Sequence, residues 1–223
     1  MSMYIMPLLM KDKFTPESVE WWRVPLSCFL LMAVFSALSV YSWFVAFLMM
    51  DVTTIIFLVM VSAESKAKYG LGVVSFVVNQ SIASALLYLS YFLNYWVVWY
   101  DEYINLFSMI GLFWKIGLPP FHGWYSSVFM EVTWYDMFIL STVMKVPPAI
   151  LVGSIIMYSD WYYLWWGMCV YALFYSSMAA AGQLTIRGVF AYSSISSSCW
   201  MVLGSVISEE IFFFIFLFIR WRL

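Results

Sequence analysis

The chain has 223 residues, of which 65% are hydrophobic and only 10% charged, with a mean hydropathy of +0.91 and a formal net charge of −2. A soluble domain is about 45–50% apolar and about 25% charged, because it must present a polar exterior; this composition excludes that class and implies lipid as the solvent. With no basic run to grip a phosphate backbone, nucleic acid is excluded as a partner.

Residues 1–23 mix Lys11, Lys13 and Arg23 with Asp12, Glu17 and Glu20, and Pro7 and Pro16 break them into short pieces. They read as an N-terminal interfacial arm rather than a signal or transit peptide, leaving 24–223 as a single transmembrane helical domain. Residues 24–62 form one apolar block whose only charge is Asp51. As one helix it would reach nearly 60 Å, about twice the hydrocarbon thickness, so it must fold back. The polar and aromatic stretch Ser39-Val40-Tyr41-Ser42-Trp43 suits an interface, predicting helices over 24–40 and 43–62. A third runs over 70–95 into the aromatic belt Tyr95, Trp96, Trp99 and Tyr100, and a fourth from Tyr103 to Pro119-Pro120. Further helices are predicted over 137–158, 161–181 and 188–207, with a last apolar run over 211–219 before Arg220-Trp221-Arg222-Leu223. The expected fold is all-α: a polytopic membrane helix bundle of about eight transmembrane helices, some broken by proline.

Charge tests this threading. It places Lys11, Lys13, Arg23, Lys66, Lys68, Arg187, Arg220 and Arg222 on one side, and Asp101, Glu102, Asp160, Glu209 and Glu210 on the other. Basic residues favour the untranslocated side, so the N-terminus is expected in the cytoplasm or matrix. Cys28, Cys169 and Cys199 each stand alone in an apolar stretch without metal-ligand spacing. They read as small polarizable packing residues, and no cofactor or metal is expected in this chain.

Three charges remain at membrane depth: Asp51, Lys115 and Lys145. Each would cost about 2.5–3.5 kcal/mol at a helix centre if unpaired. A purely structural ion pair between Asp51 and one lysine would leave the other lysine over, and snorkelling suits lysines near helix ends. The functional reading is a proton relay. Low dielectric penalises an ammonium and a nearby carboxylate stabilises it, so moving the carboxylate switches a lysine between holding and releasing a proton. Pro119-Pro120 follow Lys115 and Pro147-Pro148 follow Lys145. Proline frees carbonyls in the preceding turn, and membrane transporters place broken helices at their ion sites. His122, the one histidine, either passes protons between Lys115 and water or is a hydrogen-bonded interfacial residue.

These residues carry a resemblance. Lys115-Ile-Gly-Leu-Pro-Pro-Phe-His122-Gly-Trp124 resembles a segment of the chain-2 family of NADH:ubiquinone oxidoreductase (respiratory complex I), and Met144-Lys145-Val-Pro-Pro is similar to that family's second lysine segment. Arg187-Gly-Val-Phe-Ala-Tyr-Ser-Ser-Ile195 is similar to its Arg-Lys-x-Leu-Ala-Tyr-Ser-Ser-Ile stretch, with Trp200-Met201 following; Gln80 and Ser84 fit the intervening helix. Trp43 precedes Asp51 at the spacing of a tryptophan and the family's glutamate. The resemblance covers about residues 24–210.

It implies an antiporter-like proton-translocating subunit, with Asp51 the modulating carboxylate, Lys115 its paired lysine, Lys145 the central relay lysine and His122 an auxiliary group. NADH, FMN, iron–sulfur clusters and ubiquinone would act elsewhere in the complex, and the partners would be lipids and other membrane-arm subunits. The implied location is the mitochondrial inner membrane, multi-pass with a matrix N-terminus, or otherwise a bacterial plasma membrane. A free-standing cation/proton antiporter and a purely structural membrane subunit are the competing readings. The sequence departs from the family at Asp51, at Tyr125-Ser126-Ser127 in place of Pro-Glu, at Gly188 and at Ser197. The shorter Asp51 is expected to weaken the pairing with Lys115. The run 211–219 would span only about 14 Å as a helix, and the family's distal lysine lies beyond it, so a second polypeptide supplying further helices is expected.

Overall fold

The computed structural model describes residues 23–62, 70–96, 101–157 and 161–207; the expected interfacial arm, the 62–70 loop apart from its flanking residues, and the last apolar run lie outside the described residues. The described residues form α-helices and one 3-10 turn, with no strand among them. In chain order these are α1 Arg23–Ser39, α2 Trp43–Ser62, α3 Leu71–Trp96, α4 Asp101–Ile116, α5 Gly123–Glu131, α6 Trp134–Thr142, the 3-10 turn Val143–Lys145, α7 Val146–Met157, α8 Tyr162–Ala181 and α9 Ile186–Ile207. Among the described residues, four spans are long and apolar enough to cross a bilayer: α2, α3, the joined run Trp134–Ile156, and Tyr163–Ala181 within α8. Phe29, Met32 and Phe35 of α1 project outward and are largely exposed. Such a surface is costly in water but compatible with acyl chains, which need no polar cover.

Lipid also demands that hydroxyls be satisfied within the protein. Helix α9 carries Ser193, Ser194, Ser196, Ser197 and Ser198 in succession with Ile195, and each hydroxyl donates to the carbonyl three residues earlier. This local back-bonding lets a serine-rich run stay helical at membrane depth.

The expected boundaries at 24–40, 43–62, 70–95, 161–181 and 188–207 fall within a few residues of α1, α2, α3, α8 and α9. The first of the two breaks differs in cause from the sequence reading, the second does not. Helix α4 is ended by Gly117 rather than by the prolines: Gly117 adopts φ 79°, the Leu118 N–H reaches the Phe113 carbonyl and the Gly117 N–H reaches that of Trp114. That is a Schellman cap, open to a residue without a Cβ penalty. A Cβ there would also crowd Trp124. The polypeptide then passes Pro119-Pro120 and enters α5, a short helix that the sequence reading did not include.

At the second break, Pro147 and Pro148 occupy the first turn of α7, where their missing N–H groups cost nothing. The carbonyls of Val143 and Met144 lose their usual donors four residues on, and the Val146 N–H turns back to Val143, tightening the chain into the 3-10 turn. The helix begins at Trp134 rather than 137 and continues in direction through the turn. Lys145 sits at the joint.

Side-chain ties hold the short helices. The Glu131 carboxylate at the end of α5 accepts from the Gly72 and Val73 N–H groups at 2.9 and 3.2 Å, capping the free donors at the start of α3. Arg187 donates to the Met130 carbonyl at 2.8 Å and lies over the Trp134 ring. Arg23 is within Coulombic reach of the buried Asp136, to which Thr133 donates at 2.7 Å. The starts of α1, α3, α6 and α9 and the end of α5 therefore meet at one end of the bundle.

Candidate functional site

Asp51 lies at the middle of α2, Lys115 in the last turn of α4. Helix α3 packs closely on α4: Gly111 leaves the Leu87 side chain no more than contact distance from where a Cβ would stand. Lys115 Nζ donates to Asp51 Oδ1 at 2.6 Å. The lysine side chain is almost wholly enclosed, whereas a quarter of the Asp51 side chain remains accessible. Three contacts hold this part of the site in place. One is the carboxylate. Another is the α4 C-terminus, whose last carbonyls and dipole attract a cation. The third is Gln80, whose amide donates to the Lys115 carbonyl at 3.3 Å and fixes the backbone behind it. The shorter Asp51 still reaches Lys115.

Asp51 has a second donor. Tyr88 of α3 offers its hydroxyl to Oδ2 at 2.6 Å. The sequence reading missed this residue, since a tyrosine in an apolar helix carries no spacing signal that pairs it with an aspartate on the preceding helix.

Lys145 is 3% exposed and has a different environment. Its Nζ donates to the Ser194 carbonyl at 2.7 Å, lies 3.5 Å from the Ser198 hydroxyl, and sits 4.3 Å from the centroid of the Tyr125 ring. Ser194 Oγ lies 2.9 Å from Tyr125 Oη and 2.7 Å from the Ala191 carbonyl. With one proton to give, the serine donates to the carbonyl and accepts from the tyrosine. Among the described residues no carboxylate pairs with Lys145; its partners are dipoles and an aromatic face. Tyr125, noted in the sequence only as a departure from a family pattern, is thus one wall of the lysine site.

The two lysines share a cavity of about 20 Å³, lined also by Thr53, Thr54, Gln80, Trp124, Tyr125 and Pro148. Gln80 Oε1 and Trp124 Nε1 are buried there without a protein hydrogen-bond partner. A volume above about 10–15 Å³ with two to four polar partners accommodates one water. His122 is placed otherwise. Its Nε2 lies 3.0 Å from Tyr175 Oη of α8, and its ring packs edge-on to Tyr175 and tilted to Tyr192, with neither lysine among these partners.

Comparison with known proteins agrees with this architecture. The family model described as the transmembrane region of NADH:quinone oxidoreductase/Mrp antiporter matches residues 85–222. NADH-ubiquinone oxidoreductase chain 2 of Locusta migratoria is 24% identical over 192 residues, covering 84% of this chain and 55% of the relative. The chain-2 proteins of Anopheles gambiae and Lumbricus terrestris are each 25% identical, over 211 and 175 residues, covering 87% and 78% of this chain and 59% and 52% of theirs. The chain spans about half the length of the curated relatives it matches. With more than half of its residues matched by the family model, and with helices broken beside two buried lysines, this all-helical membrane chain belongs to the NADH:quinone oxidoreductase/Mrp antiporter transmembrane family.

Proposed function

We propose that the chain is a proton-translocating membrane subunit of NADH:ubiquinone oxidoreductase, in which Asp51, Lys115 and Lys145 form a buried relay. The observation that carries this reading is the common cavity of Lys115 and Lys145, one lysine held by a carboxylate and the other by dipoles and an aromatic face. In the relay, displacement of Asp51 weakens its hold on the Lys115 proton, which passes through a water in the cavity to Lys145. Gln80 Oε1 accepts from that water and Trp124 Nε1 donates to it. Departure of the proton from Lys145 leaves a neutral amine accommodated by the Tyr125 ring. His122 serves a separate branch with Tyr175, past the α4 break. Redox chemistry belongs to other subunits of the complex, which are the partners of this one.

The family also includes cation/proton antiporters. Purification in mild detergent separates the two readings. The chain should copurify with NADH:ubiquinone reductase activity; recovery as a free transporter without that activity would refute assignment to the oxidoreductase.

The location follows as the mitochondrial inner membrane, with the end of the bundle bearing Arg23, Glu131 and Arg187 facing the matrix. The one-sided basic residues support this orientation. Protease added from the matrix side should cut within 63–69, and cutting from the intermembrane side would reverse the assignment.

A further inference from the structure

Tyr88 stands out among the polar groups the relay has not used. Its hydroxyl projects from α3 to Asp51 Oδ2 at 2.6 Å, and Phe44 packs edge-on against its ring, with centroids 6.0 Å apart, fixing the direction in which the hydroxyl points. Each oxygen of the carboxylate thus has its own donor, from a different helix: Lys115 of α4 on Oδ1 and Tyr88 of α3 on Oδ2. Thr54, one turn along, spends its hydroxyl on the Asp51 carbonyl and leaves the carboxylate alone.

We infer that Tyr88 is the positioning residue of the carboxylate switch: its hydroxyl anchors Asp51 while Lys115 gives up and regains its proton. This rests on the relay proposed above. When Lys115 is neutral its attraction for the carboxylate is lost, and an aspartate at membrane depth then needs another donor to remain an anion in place. Tyr88 supplies it without contributing a charge of its own. An aspartate has one torsion fewer than a glutamate, so a donor on each oxygen leaves it a short, defined travel. Without the tyrosine, the carboxylate has Lys115 as its sole described donor and follows that side chain instead of releasing it.

The test is Tyr88→Phe, which deletes one oxygen, made in the intact complex beside Lys115→Met. Two readouts are needed. Infrared spectroscopy with 13C-labelled aspartate, using Asp51→Asn to identify the Asp51 band, reads the hydrogen bond directly. Tyr88→Phe should move the carboxylate stretch, because a donor to one oxygen is lost. Proton pumping should fall about tenfold, the size expected for one charge-assisted hydrogen bond, with assembly preserved. An unmoved carboxylate band overturns the inference, as does a moved band with full pumping when Lys115→Met abolishes pumping; in both cases the relay itself stands. Full pumping in Lys115→Met would instead remove the relay, and the positioning role with it. Should the Phe variant fail to assemble, the C–O stretch of 13C-labelled tyrosine in the unsubstituted complex decides. A tyrosine band typical of strong donation to a carboxylate supports the inference, and its absence refutes it.

Discussion

Replacing Lys145 by Met should reduce proton pumping at least tenfold while leaving the assembled complex nearly as abundant as before. The disproportion comes from the partners the lysine leaves behind. Lys145 is bound by the Ser194 carbonyl, the Ser198 hydroxyl and the face of Tyr125. The Ser194 carbonyl still accepts from Ser197, and Ser198 from its own hydroxyl still reaches the Ile195 carbonyl. No charge is stranded. The loss is the cation–π contact and two hydrogen bonds, the second of them long at 3.5 Å; against it stand the relief of a buried charge and the volume that the methionine fills. Lys145→Arg sharpens the test. Arginine keeps the charge and the stacking but does not deprotonate. If Lys145 hands on a proton, the arginine variant pumps no better than the methionine variant; if Lys145 is only a counter-charge, arginine restores activity. Pumping can be followed by dye quenching in reconstituted vesicles, with assembly read on native gels. Normal pumping in both variants would exclude Lys145 from the relay.

Lys115→Met should behave differently, losing stability as well as pumping. Removing the ammonium leaves the Asp51 carboxylate with the Tyr88 hydroxyl as its described donor. Breaking a buried ion pair costs about 3–5 kcal/mol because the remaining charge stays behind. The lower end applies here, since a quarter of the Asp51 side chain is accessible. That is a large share of the roughly 5–15 kcal/mol by which a domain is stable, so less complex should accumulate and its thermal inactivation should begin earlier. The double variant Asp51→Asn/Lys115→Met removes the stranded charge. It should recover most of the assembled material and none of the pumping. The interaction energy from the cycle of two single variants and the double one measures the pair directly. Additive losses of stability would mean that Asp51 and Lys115 do not stabilise each other in the membrane.

The two lysines differ in these outcomes although their sequence settings look alike, each a lysine followed closely by a proline pair. Periodicity and composition could place both at membrane depth, because a charge in a long apolar run is conspicuous. They could not tell that Lys115 ends its helix while Lys145 sits between two helices. Gly117 rather than Pro119 ends α4, since a left-handed cap acts on the turn before it; the later prolines only steer the exit. At Lys145 the proline pair starts the next helix and tightens the preceding turn, so the chain continues. The short α5, absent from the sequence reading, is nine residues long, too brief for hydropathy to separate from a loop.

By itself, the sequence determined the class of molecule, the approximate limits of most helices, the placing of Asp51, Lys115 and Lys145 within apolar runs, and the resemblance that their flanking motifs carry. These are properties of consecutive residues: apolar length against bilayer thickness, and the cost of a charge within it. Which groups meet was decided by tertiary structure. Tyr88 and Asp51 are 37 residues apart, Lys115 and Asp51 64, and Lys145 and Ser194 49. Tyr125 against Lys145, Glu131 on the start of α3, and His122 on Tyr175 rather than on a lysine depend likewise on how helices pack. A helix fixes its side chains around its own axis, but rotation and shift against its neighbours are set by close packing such as that at Gly111, where a missing Cβ lets α4 approach α3.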